Sequence, residues 1–211
     1  MVNKPTAVIL AGGKGSRLGG VDKGLLQING RKLIELCIDS LRPQVASIVI
    51  SANRNLPIYG QFADTVVPDT TASYPCYSRG PLAGLLSVWD YLEQNGHIGS
   101  GDLLTVPCDM PLLPNDLAAR FYQRRSQSHC QEKCVVVAHD GIRLQPLCAM
   151  LPWSIKSQLE AFLNTGQCKV SDWIQYSDAL IADFSAEADK FVNINTQADV
   201  AMVSAKLKNH A

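Results

Sequence analysis

The sequence lacks any apolar run near the roughly 18 to 20 residues that a membrane-spanning helix requires. Residues 1 to 10 lack the pattern of a secretory signal followed by a small-residue cleavage site. No membrane partner is expected, and the cytoplasm is the expected compartment. An excess of charge of either sign is also missing, with 19 Lys+Arg against 19 Asp+Glu. Without a net positive field nothing draws in a polyanion at long range, so no nucleic acid is expected as a partner. Charged residues are few, 18% of the chain, while apolar ones reach 46%, which excludes disorder and a coiled coil. The number of cysteines is 7, odd for a disulfide framework. A chain of 211 residues can bury a full core without such staples, so reduced, mostly buried thiols are expected.

Linkers, repeats and low-complexity stretches are absent too, which predicts a single domain over residues 1–211. Ala7-Val8-Ile9-Leu10 reads as a buried strand that stops at Gly12-Gly13-Lys14-Gly15. Leu33, Leu36, Cys37 and Leu41 recur at helical spacing, ended near Pro43, before Ile48-Val49-Ile50 predicts a second buried strand. Past an irregular stretch to Pro75, the stripe Leu82, Leu85, Leu86, Trp89 and Leu92 predicts a helix leading to the strand Leu103-Leu104-Thr105-Val106. A helix from about Pro114 to Arg125, the strand Val135-Val136-Val137 and an apolar segment ending Leu147-Cys148-Ala149-Met150 continue the alternation. The last third predicts a helix near 155–163, a short segment over 170–176, a strand from Phe191 to Ile194 and a helix from about Gln197. The expected fold class is α/β: a doubly wound, mostly parallel sheet with helices on both faces and a ligand crevice at the carboxyl ends of the strands.

Residues 10 to 23 combine five glycines with Lys14, Arg17 and Lys23 directly after a strand. Glycine lets main-chain N–H groups approach an anion closely, and a cation then neutralises what that nest holds, so the combination suits a polyphosphate. A loop with solvated cations is the plain alternative. The order of residues fits neither a P-loop nor a dinucleotide fingerprint, whose third glycine would fall on Leu18.

Leu10-Ala11-Gly12-Gly13, then Ser16-Arg17-Leu18-Gly19-Gly20, then Asp22-Lys23 resemble the signature of nucleotidyltransferases, closest to the molybdenum cofactor guanylyltransferase family. The resemblance continues in Gly80-Pro81-Leu82-Ala83-Gly84, in Pro107-Cys108-Asp109-Met110-Pro111 and in Phe191-Val192-Asn193-Ile194-Asn195-Thr196, and so spans essentially the whole chain. It implies a Rossmann-like nucleotidyltransferase fold, with residues about 1–110 taking GTP and about 111–211 facing a pterin acceptor. Arg17, Lys23 and Asp109 are implied as catalytic. GTP binding is implied for Leu10, Ala11, Gly12, Gly13, Lys23, Asn53, Asp69, Gly80, Pro81, Leu82, Gly84 and Asp109. Asn193 and Asn195 are implied on the acceptor side, and Asp109 as the ligand of Mg²⁺.

Physical chemistry offers a reading of several of these positions beside the resemblance. Asp109 follows a predicted strand and is bracketed by Pro107 and Pro111, which suits a rigid carboxylate for a hard cation or, equally, a turn before the next helix. Asp69, in Pro68-Asp69-Thr70-Thr71, reads either as a nucleotide contact or as a turn former. Pro81 suits a first helical turn, and Gly80 and Gly84 would let a base or ribose approach the backbone. Asn193 and Asn195, two apart on an expected strand, would face one side, while Thr196 with Asp199 reads as a helix cap. The chain departs from the family pattern at Ser51, where the pattern commonly has Asn, at Cys168, where relatives often carry Arg, and in an insertion at Cys76-Tyr77-Ser78-Arg79. His129, Cys130, Cys134 and His139 lack the spacing of a structural zinc site.

The implied activity is transfer of GMP from GTP to the terminal phosphate of molybdenum-bound molybdopterin, giving the guanine dinucleotide and pyrophosphate. The alternatives are a molybdopterin cytidylyltransferase or sugar-nucleotide transferase, and a noncatalytic carrier of nucleotide or cofactor. Implied partners are GTP, molybdopterin, molybdopterin insertion proteins and molybdoenzyme chaperones, met by a monomer.

Overall fold

The computed structural model describes residues 4–12, 20–69, 80–97, 101–129 and 134–209. Strand β1 (Thr6–Leu10) lies inside the main sheet, and the chain then forms a hairpin of β2 (Gln27–Ile28) and β3 (Arg31–Lys32) before helix α1 (Leu33–Leu41). Strand β4 (Ser47–Ser51) pairs parallel to β1, and after the short helix α2 (Leu56–Tyr59), β5 (Thr65–Val67) pairs parallel to β4. Helix α3 (Pro81–Gln94) crosses back, so that β6 (Asp102–Pro107) pairs parallel to the other side of β1. The direction of winding reverses between β1 and β6, and that reversal opens a crevice at their carboxyl ends.

Helix α4 (Leu117–Ser126), β7 (Val136–His139), β8 (Leu144–Pro152), α5 (Lys156–Asn164), α6 (Val170–Tyr176), β9 (Leu180–Asp183) and α7 (Gln197–Asn209) complete the chain. The sheet order is β5-β4-β1-β6-β8-β7-β9. β8 runs antiparallel to both β6 and β7, and β9 returns parallel to β7. The sheet is therefore mostly parallel with one reversed strand. It arises because β7 and β8 are joined by a tight turn at Asp140–Arg143 rather than by a helix.

Alternation along the strands sorts the core onto two faces. Ala7 and Ile9 pack with Ile34, Cys37 and Phe121 under α1 and α4, while Val8 and Leu10 pack with Leu86, Trp89 and Phe162 under α3 and α5. Each of these large side chains, fully withdrawn from water, stabilises the fold by roughly 1.5–3 kcal/mol before entropy is counted. Trp89, fully buried in the core, meets the partly buried Trp153 edge to face at 6.5 Å. No helix among the described residues is long and apolar enough to cross a membrane.

Two expectations need correction. Residues 191–194 do not form a strand. Ser185–Phe191 is a 3-10 segment, and 192–195 are irregular because Phe191 packs into the first core while Ile194 packs into a third cluster. Helix α4 begins at Leu117, not at Pro114. The third cluster joins Ile28, Leu33, Leu36, Ile194 and Val203, so it binds the C-terminal segment to the hairpin and α1. That contact carries residue 195 back to the site.

Candidate functional site

The four parallel strands end in register: Val67 beside Ser51, Ser51 beside Leu10, Leu10 beside Pro107. The ladder continues one residue further, with Ala52 N donating to Val67 O at 3.1 Å, Ala11 N to Ser51 O at 2.8 Å and Cys108 N to Leu10 O at 3.2 Å. Two residues beyond each strand end stand Asp69, Asn53, Gly12 and Asp109. At about 4.8 Å per strand this row spans roughly 14 Å, a length that suits a nucleoside with its phosphates laid across the sheet edge.

At one end of the row Asn53 and Asp69 hold each other. Asn53 Nδ2 donates to Asp69 Oδ2 at 2.7 Å, and Asp69 N donates to Asn53 Oδ1 at 2.8 Å. Ser51 is buried and, like Asp69, turns toward α3: a Cβ on Gly84 would come within 2.9 Å of Asp69 Oδ1 and closer still to Ser51 Oγ. The missing side chain of Gly84 therefore makes room for β4 and β5 to pack on α3 and for Asp69 to take its place. Gly80 has extended backbone and lies beside the carbonyl of Cys168, and Pro81 begins α3. Leu10, Ala11 and Leu82 turn their side chains into the core, so these positions offer the crevice main chain only.

At the other end Lys23 Nζ donates to Asp109 Oδ2 at 2.8 Å and to Asn195 Oδ1 at 2.6 Å. Both members of the ion pair keep some exposure, with side chains 17% and 16% accessible, so the cluster faces the crevice. Three elements deliver it. Asp109 follows β6, Lys23 opens a 3-10 turn (Lys23–Leu25), and Asn195 precedes α7. The main chain of Asp109 is itself tied to the C-terminal segment, because its carbonyl accepts from Ile194 N at 2.9 Å. Thr196 and Asp199 cap α7: Asp199 Oδ2 accepts from Asn195 N at 2.9 Å and Thr196 N at 2.8 Å, and Asp199 N donates to Thr196 Oγ1 at 3.2 Å. These bonds hold the Asp199 carboxyl below its usual range, the Asn195 N–H first among them.

Asn193 does not share a strand face with Asn195, and its side chain makes no hydrogen bond among the described residues. Gly13 and Arg17 lie outside the described residues. Cys37 and Cys108 lie behind Asp109; burial pushes both thiols up and the Asp109 charge adds to it, so neither is a thiolate nucleophile. Among the described residues no group of three or more His, Cys, Asp or Glu could hold a metal ion by itself. A lone carboxylate with a neighbouring amide oxygen suits a cation that keeps waters and shares a ligand's phosphates, as Mg²⁺ does.

Sequence reasoning missed a buried group behind Lys23. Asp22 is 8% exposed and accepts hydrogen bonds from the Tyr59 hydroxyl and from Asn55 Nδ2, the latter at 2.9 Å. A buried acid flanking a motif lysine has no periodic signature, but the Asn29-Gly30 pair of the β2–β3 turn does, with φ of 51° and 79°.

Residues 7–180 match the model of the MobA-like NTP transferase domain family. A molybdenum cofactor guanylyltransferase of Shewanella piezotolerans is 36% identical over 203 residues, covering 96% of this chain and 93% of its own. The enzyme of the same name from Shewanella sediminis is 40% identical over 190 residues, 90% of each chain. Among solved structures, molybdopterin-guanine dinucleotide biosynthesis protein A from Archaeoglobus fulgidus superposes with a TM-score of 0.74 at 19% identity, over 97% of this chain and 99% of that one. A 4-diphosphocytidyl-2C-methyl-D-erythritol synthase superposes at 0.69 with 11% identity, over 98% and 99%. The fold is thus shared by proteins of different names.

Proposed function

The chain belongs to the MobA-like NTP transferase family, and from that membership we propose that it transfers GMP from GTP to the terminal phosphate of molybdopterin. The relatives that cover nearly all of the chain are named molybdenum cofactor guanylyltransferases. The observation that carries the reading is the meeting of Lys23, Asp109 and Asn195 at the carboxyl edge of the sheet, from segments far apart in the chain.

An oxygen of the acceptor phosphate attacks the α-phosphorus of GTP, the bond from that phosphorus to the bridging oxygen breaks, and pyrophosphate leaves. The attacking oxygen is already anionic, so no protein nucleophile or strong base is needed. Positioning and charge neutralisation supply the acceleration. Lys23, held by Asp109 and Asn195, presents its ammonium to the donor phosphates. The Gly12–Gly15 main chain and Arg17 take the rest of the triphosphate. Asn53 steadies Asp69, whose remaining acceptor lone pairs suit the N–H donors of a guanine. Residues 1–110 take the nucleotide and 111–211 the pterin, with Asn195 closing the crevice between them.

Asp109 would hold Mg²⁺, which when bound supplies positive charge to the phosphate oxygens. We further propose a cytoplasmic monomer that hands its product to molybdopterin insertion proteins and molybdoenzyme chaperones, as the family resemblance implies. The test is dinucleotide and pyrophosphate formation, followed by chromatography, with molybdopterin, Mg²⁺ and GTP, CTP, ATP or UTP in turn. Product from GTP alone is expected. A preference for CTP would overturn the base assignment, and no product from any nucleotide would favour a carrier.

A further inference from the structure

Lys23 can serve the donor phosphates only if its backbone is fixed, because its ammonium ends a flexible four-carbon stem. The 3-10 turn over Lys23–Leu25 begins at Asp22, whose carbonyl accepts from Leu25 N at 3.0 Å. The side chain of Asp22 is buried beneath that turn, where it accepts from the Tyr59 hydroxyl and from Asn55 Nδ2. Two local irregularities converge on these bonds. Gly24 carries no Cβ where one would press on the Tyr59 ring, 3.1 Å from Cε1 and nearer to Oη. Asn55 adopts left-handed backbone, φ 54°, immediately before the helix that carries Tyr59. A buried acid, an absent side chain and a left-handed residue each weaken a fold taken singly. Their shared result is one anchored carboxylate next to Lys23.

We infer that Tyr59 is a positioning residue for the transfer reaction: through its hydrogen bond to Asp22 it sets the reach of Lys23 toward the donor phosphates. The loop that bears this anchor also bears Asn53, which steadies Asp69 at the opposite end of the row. One short segment, Asn53 to Tyr59, thus braces both ends of the nucleotide site. Tyr59 itself is fully buried and touches no reacting atom. Burial pushes its hydroxyl up and the bond to Asp22 pushes it further, so it stays a donor across the working pH range.

The inference rests on the guanylyltransferase reading, and the test separates the two. Tyr59→Phe keeps the ring and removes only the hydroxyl. Steady-state kinetics and single-turnover GMP transfer are measured for wild type, Tyr59→Phe, Lys23→Met and the double variant. Misplacing a reacting group by about 1 Å can lower a rate by as much as ~100-fold. Tyr59→Phe is expected to lower kcat roughly tenfold with the GTP KM within about twofold, and to change the rate less than about twofold once Lys23 is Met. A wild-type kcat, a raised KM with kcat unchanged, or the same tenfold loss in the Lys23→Met background would each overturn the role of Tyr59. If Tyr59→Phe does not fold, Asp22→Ala, which removes the acceptor of the Tyr59 hydroxyl, replaces it in the same cycle, with the same expectations. Failure of the wild type to form dinucleotide would instead overturn the activity itself.

Discussion

The Lys23 ammonium stands 2.8 Å from Oδ2 of Asp109, across 86 residues of sequence. Lys23 lies in the glycine-rich segment after β1, and Asp109 at the end of β6, so the ion pair spans the point where the winding of the sheet reverses. Asn195 completes it from the far end of the chain at 2.6 Å. A cation held this way is oriented before any ligand arrives.

Lys23→Met should therefore remove transition-state charge neutralisation while leaving the fold. A drop in kcat of roughly 10²–10³ is expected, the size seen when one stabilising donor is lost. The two side chains keep only 17% and 16% exposure, so removing the cation strands the carboxylate and a moderate fall in the thermal midpoint is expected beside the much larger loss of rate. Stopped-assay kinetics beside a melting curve check both halves; a large loss of stability would mean that Lys23 acts mainly in folding.

Gly84 and Gly80 should respond oppositely to alanine. A Cβ on Gly84 would meet Asp69 Oδ1 at 2.9 Å and Ser51 Oγ more closely, whereas on Gly80 it would stand 3.5 Å from the Cys168 carbonyl, an ordinary contact. Overpacking of this kind destabilises by roughly 1–3 kcal/mol. Gly84→Ala should lower the melting temperature and raise the GTP KM through displaced Asp69, while Gly80→Ala keeps the wild-type melting temperature. Equal behaviour of the two variants would contradict the packing account.

How much of this could be read from the sequence depends on which forces leave a periodic trace. Buried parallel strands are near-continuous apolar runs, so Ala7–Leu10, Ile48–Ile50 and Leu103–Val106 were legible, as was the stripe of α3. Strand direction leaves no such trace: β8 reads as another apolar segment, and only the turn at Asp140 reverses it. Phe191, Val192 and Ile194 look like a strand because they are apolar, yet they serve two different clusters and join no strand of the sheet. The site was legible through the family pattern of glycines and acids. The hydrogen bonds that join Asn53 to Asp69 and Asp22 to Tyr59 were not, since each links residues more than a dozen positions apart with no spacing rule.

Asn53→Ala should weaken nucleotide binding more than chemistry. It removes both hydrogen bonds that orient Asp69, at 2.7 and 2.8 Å. An increase in GTP KM of roughly tenfold is expected, about 1.4 kcal/mol, the scale of a single lost hydrogen bond, with kcat changed less. Competition between GTP and CTP should also become less selective. Unaltered KM and selectivity would detach this pair from the nucleotide.

Asp199 links the site to pH. Its carboxyl is held below the usual 3.8 by the Asn195 N–H and by Thr196, so its folded pKa is depressed. The stability it contributes is fully present above about pH 4 and is lost as pH falls through the folded value. Asp199→Asn should melt earlier than wild type at pH 7, and the difference should shrink toward zero on descending below about pH 4. A difference that grows with acid would reverse the sign and contradict the assignment.

The most direct test of the account is the single-turnover rate of GMP transfer by Asp109→Asn at saturating GTP and Mg²⁺, beside wild type. The substitution keeps the size of the side chain and a hydrogen-bond acceptor for Lys23 but removes the charge. The account predicts a loss of at least about 10²-fold in rate with the melting temperature nearly unchanged. A rate within about threefold of wild type would contradict it, and would show that the carboxylate at the end of β6 is not where the reaction is organised.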